Sequence, residues 1–111
     1  MPRYLIRLPD PTRARGTEPA LSFTANGAAA FAEQLQEALA TPALFERWRA
    51  MQNEPEEVDP ALGATDPGAQ VSGQQQDLHI ELVADTRIPG EILRQRLRWL
   101  AGSHWELRDV C

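Results

Sequence analysis

DLHIELVADTRIPGEILRQRLRWLAGSHWELRDV, residues 77–110, is the stretch that decides the fold, because two hydrophobic periods follow one another cleanly within it. From Asp77 to Asp85, Leu78, Ile80 and Leu82 alternate with His79, Glu81 and Val83, a period of two that predicts a strand with one buried face. Pro89 and Gly90 break the pattern. From Glu91 the apolar residues Ile92, Leu93, Leu97 and Leu100 return at helical spacing until Gly102 supplies a stop, which predicts a helix. Trp105, Leu107 and Asp109 then alternate with Glu106, Arg108 and Val110, so a second strand follows a helix that crosses the sheet.

Working back from this stretch, Tyr4, Ile6 and Leu8 alternate with Arg3, Leu5 and Arg7, which predicts another strand with a core face and an arginine-bearing second face. Pro9, Asp10 and Pro11 stop it. Thr12 to Pro19 has the composition of a mobile loop without a core residue, and Leu21 and Phe23 read either as a short edge strand or as an apolar anchor. With Asn26 as N-cap, Ala28, Phe31, Ala32, Leu35 and Leu39 form the apolar stripe of an amphipathic helix. Thr41 followed by Pro42 marks the start of a second, short helix, whose buried face is Leu44, Phe45, Trp48 and Met51. Residues 53–76 read as a long flexible loop with an acidic cluster (Glu54, Glu56, Glu57, Asp59) and six prolines and glycines. A structureless run of that length is unusual in a small domain, which points to a concealed strand around Ala69 to Ser72, hairpinned onto Leu78 to Val83.

A chain of 111 residues accommodates one core and therefore one domain. Strand, helices, concealed strand, strand, helix, strand is the split βαβ order of a ferredoxin-like α+β sandwich, an antiparallel sheet with helices packed on one face. Alternation in all three evident strands supports it, since a parallel sheet covered on both faces reads as continuous apolar runs. The face left without helices should carry Arg7, His79, Glu81, Glu106 and Arg108.

The composition is 42% apolar and 24% charged, with no apolar run long enough to span a membrane. Met1 to Leu8 carries Arg3 and Arg7 and lacks the apolar core of a secretory signal, which leads us to expect a cytoplasmic protein. A net charge of −5 disfavours nucleic-acid binding, which needs a basic stripe, and an open sheet face bearing charges lacks the aromatics on which bases stack. One cysteine, Cys111, builds neither a disulfide framework nor a thiolate metal site. No nucleophile motif, phosphate loop or metal-ligand spacing is present, so neither a cofactor nor a metal is expected.

Three groups remain as candidates. Arg7, His79, Glu81, Glu106 and Arg108 on adjacent strands could bind an anion or move a proton, or could form ordinary cross-strand ion pairs. Asp85, Thr86 and Arg87 precede the last helix and could hold an anion at its free N–H groups or cap it. On that helix Arg96 falls on the apolar stripe with Trp99 beside it and Ile92 nearby. Either its stem lies on apolar surface while its head reaches water, or Ile92, Arg96 and Trp99 form an interface patch. The function expected is a non-catalytic interaction or regulatory module whose partner is a second copy of itself, as a homodimer, or another protein. The alternative is a small ligand-binding protein or enzyme with its polar site on the open sheet face.

Overall fold

The computed structural model describes residues 2–111. Its elements follow in the order β1 (Arg3–Leu8), α1 (Ala28–Ala40), α2 (Ala43–Ala50), β2 (Gln70–Gln76), β3 (His79–Asp85), α3 (Gly90–Ala101) and β4 (Glu106–Val110). Short 3₁₀ turns at Pro11–Arg13, Pro55–Glu57 and Pro60–Gly63 interrupt the connections. The strands form one sheet in the order β2-β3-β1-β4, and every neighbouring pair is antiparallel. The chain is thus a small α+β domain with a four-stranded antiparallel sheet and three helices.

Alternation in the strands decides which face is covered. Tyr4, Ile6 and Leu8 of β1 and Ile80, Leu82 and Ala84 of β3 are buried, and they share one core with Phe31, Leu35 and Leu39 of α1 and Leu93, Leu97 and Leu100 of α3. Each fully buried side chain of this size contributes about 1.5–3 kcal/mol relative to leaving it exposed. The intervening residues Leu5, Arg7, His79, Glu81, Val83 and Asp85 are only half-buried, so the opposite face is uncovered.

Several expectations are corrected. Leu78 is not a strand residue: Gln76 pairs with His79, so Asp77 and Leu78 form a two-residue hairpin turn, with Asp77 at φ 59° and Leu78 86% exposed. The suspected strand at Ala69 to Ser72 runs as β2 from Gln70 to Gln76, so the loop expected over 53–76 ends at Ala69. In β4 a bulge shifts the register between Leu5 and Ile6, so Arg108 has no partner, Asp109 pairs with Leu5 and Val110 with Tyr4. The bulge reverses the sense of the alternation, which moves Asp109 to the open face. Helix α1 starts after Gly27 without a side-chain cap, not at Asn26. Leu21 and Phe23 are apolar anchors outside the sheet, both buried, and the Phe23 N–H donates to the Leu100 carbonyl at 2.8 Å.

The segment Thr12 to Pro19 is also docked, contrary to its loop-like composition. Ala14 is fully buried, Arg15 donates to the Ala25 carbonyl at 2.6 Å and the Gly16 N–H donates to Ser22 Oγ at 2.9 Å. Gly16 lies so close to α3 that a Cβ there would overlap the Trp99 carbonyl oxygen. Gly73 of β2 passes as closely under Ala28, at the start of α1. Beside it, Gln36 of α1 accepts the Val71 N–H at 2.8 Å, on the side of β2 that no other strand covers.

Because backbone cannot yield as a side-chain tip does, Gly16→Ala is expected to cost about 1–3 kcal/mol of unfolding free energy. Gly27→Ala, whose Cβ would meet nothing within 4 Å, should cost less than about 1 kcal/mol, at most the loss of a permissive cap. Urea unfolding of the two variants beside the parent checks both values.

Candidate functional site

The antiparallel register places the residues of the open face in rows across the sheet. One row is Gln74, Glu81, Arg7 and Glu106; the next is Ser72, Val83, Leu5 and Asp109; a third brings Gln70, Asp85 and Arg3 together. Alternation puts His79 on the same face, two residues before Glu81.

Within the first row one carboxylate oxygen gathers three donors. Glu81 Oε1 lies 3.0 Å from Arg7 Nε, 2.9 Å from Arg7 Nη2 and 3.0 Å from His79 Nε2. The Arg7 and Glu81 side chains are 34% and 28% exposed, so this cluster is partly screened from water. Glu106 and Arg108 pair separately at 3.4 Å, and both are about half exposed. Arg3 pairs with Asp85 at 2.8 Å, with a second contact at 3.4 Å, and this hydrogen-bonded carboxylate raises the Arg3 pKa. Every arginine on the face therefore has a carboxylate partner. A small anion binding there would compete with Glu81, Asp85 or Glu106 for these arginines. The structure brings Arg7, His79 and Glu81 together and leaves Glu106 with Arg108 as a second pair.

One groove of ≈ 300 Å³ lies between residues 19–24, α1 and the start of α2, and another of ≈ 490 Å³ is lined by Pro9–Thr12, Asn26, Gln75, Asp77 and Leu78. Neither is lined by the Arg7 cluster. Among the described residues no group of three His, Cys, Asp or Glu side chains is placed to hold a metal ion. No helix is long and apolar enough to cross a membrane.

On α3, Arg96 does not send its head to water. It is fully buried, lies 5.5 Å from the Trp99 ring centroid and 6.0 Å from that of Phe45, and donates from Nη2 to the Ala64 carbonyl at 3.0 Å. Desolvation lowers its pKa from the ordinary arginine value. Trp99 stacks on Trp48 with centroids 4.9 Å apart, and Trp99, Trp48 and Ile92 are half-buried against the core. The shoulder of α3 is therefore largely occupied from within the chain.

The residue that the sequence reading missed is Asp66. It is 8% exposed, and its carboxylate accepts from the Thr86 hydroxyl at 2.9 Å, the Arg87 N–H at 2.8 Å and the Gly68 N–H at 3.0 Å. The anion held at the turn before α3 is thus the chain's own. Asp85 and Thr86 do not cap the helix: Asp85 pairs with Arg3, and Thr86 Oγ1 accepts the Ile88 N–H at 3.1 Å. The Asp-Pro-Gly at Asp66 to Gly68 is a turn signal, because a short carboxylate reaches the N–H two residues on. What it does not disclose is the partner twenty residues away.

Comparison with known proteins finds no family model, no curated protein and no solved structure that matches the chain.

The Arg87 N–H and the Thr86 hydroxyl, helped by the Gly68 N–H, outweigh burial and hold the Asp66 carboxyl below the usual carboxylate range. A depressed folded-state pKa stabilises the fold above the unfolded value of about 3.9, and the gain is lost as pH falls through the folded value. Asp66→Asn should therefore lower Tm at neutral pH, by on the order of 10 °C, and the difference from the parent should shrink in acid. Thermal melts followed by circular dichroism across that range check the sign.

Proposed function

We propose that this chain is a non-catalytic interaction module with a ferredoxin-like split βαβ arrangement, and that its uncovered sheet face pairs with a second copy of itself in the cytoplasm. The observation that supports this reading is the order of residues along the two central strands. Arg3 and Asp85, Leu5 and Val83, Arg7 and Glu81 are successive cross-strand pairs on the open face: charged, apolar, charged. A two-fold axis along the strands, midway between β1 and β3, would exchange the two columns. Arg3 of one copy would then face Asp85 of the other, Leu5 would face Val83, and Arg7 would face Glu81. Sheets packed face to face keep their strands within about 30° of alignment, so the match survives the twist. With three arginines and four carboxylates the face is close to neutral and does not repel its copy. The same pairs would shield the apolar centre from other partners.

A ligand site at Arg7, His79 and Glu81 is the second reading. It is supported by the convergence of two side chains, Arg7 and His79, on one carboxylate oxygen of Glu81, and it is weakened because neither groove described above is lined by them.

Sedimentation of the parent from low to high micromolar concentration should show a monomer–dimer equilibrium. Arg7→Glu, which places like charges in apposition both within and between copies, should shift it towards monomer. Combining it with Glu81→Arg should restore the dimer, whereas Arg13→Ala, away from the face, should leave it unchanged. A parent that stays monomeric throughout overturns the reading.

A further inference from the structure

Arg96 is the most polar side chain in the core and the least satisfied. A guanidinium presents five N–H donors, and here only one bond is made, from Nη2 to the Ala64 carbonyl. Nε and Nη1 are buried without a partner, and none of the ion pairs among the described residues includes Arg96. A charge withdrawn from water without a counter-charge is costly, and the usual remedy is an anion that takes two parallel N–H bonds. No carboxylate of the chain supplies them. The Phe45 and Trp99 rings line the site, with centroids 6.0 and 5.5 Å from the guanidinium carbon.

What closes against that site is the end of the segment 53–64, where the Ala64 carbonyl takes Arg96 Nη2 and Gly63 meets the Phe45 ring. None of the residues in its two 3₁₀ turns is buried. It is tied down by two carbonyls, Pro55 to Arg49 Nε at 3.0 Å and Ala64 to Arg96 Nη2 at 3.0 Å, and by Gly63 against the Phe45 ring. Beyond it the chain is fixed by the Asp66 bonds, and before it α2 ends at Ala50. A weakly attached cover between two firm ends, above an unpaired buried cation, can exchange its single neutral carbonyl for a charged ligand.

We propose that residues 53–64 form a strap closed over a carboxylate-binding site made by Arg96 between Phe45 and Trp99. Lifting the strap exposes the fork of the guanidinium, and a planar carboxylate takes Nε and Nη2, or both Nη nitrogens, in place of the Ala64 carbonyl. Glu54, Glu56, Glu57 and Asp59 on the strap repel dianions, and a monovalent carboxylate loses less solvation on entry, so phosphate is disfavoured. The site lies on the helical side of the sheet and does not depend on self-association through the open face.

The test is a formate titration read by tryptophan fluorescence and by the indole N–H shifts of Trp48 and Trp99, with circular dichroism to confirm the fold of each variant. The parent should show a saturable response, weakened at least tenfold in Arg96→Met, which keeps the bulk and removes the charge. Gly63→Ala should bind formate several-fold more tightly, because the added Cβ would stand 2.6 Å from the Phe45 ring and keep the strap from seating. If Arg96→Met does not fold, Gly63→Ala decides alone. An acetylated, amidated glutamate responding like formate identifies a protein side chain as the source of the carboxylate, and a response to formate alone identifies a small free acid. An equal response in Arg96→Met, a phosphate response as strong as that to formate, a Gly63→Ala variant that binds no better than the parent, or no response at all overturns the proposal.

Discussion

The Asp66 carboxylate is the constraint on which the connections of this domain depend. The chain must carry its backbone from the end of the helical layer to the sheet edge, and from β3 back to α3, through segments with no ladder of their own. Asp66 settles both at one point: its N–H donates to the Leu39 carbonyl at the end of α1, and its carboxylate binds the Thr86 and Arg87 turn. Thr86 in turn accepts from Ile88, whose carbonyl takes the Tyr4 hydroxyl at 2.8 Å. Helix end, sheet edge, crossover and central strand are thereby joined through one hydrogen-bonded chain. Partly enclosed bonds of this kind reinforce one another, so the removal of one member loosens several.

Much of the fold was legible because one sheet face and one helix stripe are buried, and burial leaves a period in the sequence. β1, β3, α1 and α3 carry that period and were read from it. Leu78 fitted the same period and was misplaced, because the hairpin turn that takes it out of the strand is set by the pairing of Gln76 with His79. The β4 bulge is invisible for a related reason: a skipped residue is a property of two strands and cannot be read from one. The docked segment around Ala14 and Gly16 has loop composition because its bonds are made by backbone, by small residues and by the polar head of Arg15, which leave no hydrophobic signal. Of the candidate site, the open-face residues were legible from alternation alone. Their partners were not, since Arg7 reaches Glu81 only through a register that the sequence does not state.

The absence of lysine gives the surface electrostatics a particular character. Each arginine on the open face meets its carboxylate across strands or along one, through a planar fork that holds its orientation better than a flexible ammonium. Arg15 and Arg96 use the same flat group differently, lying 5.6 Å from the Phe31 centroid and 5.5 Å from that of Trp99. One residue type thus serves as a cross-strand clasp, a backbone tie and an aromatic neighbour. A lysine in any of these positions would keep the charge and lose the plane.

The contact between Gln36 and the Val71 N–H has a consequence for how the chain behaves in a crowded solution. An outermost strand is a template, and any passing extended peptide can extend it unless the free donors are spent. Here a helix side chain spends one of them, α1 closes over Gly73 two residues on, and the bulge at Arg108 disturbs the opposite margin of the sheet. The sheet is finite by construction: it can be stacked upon, but it resists being lengthened into a fibril.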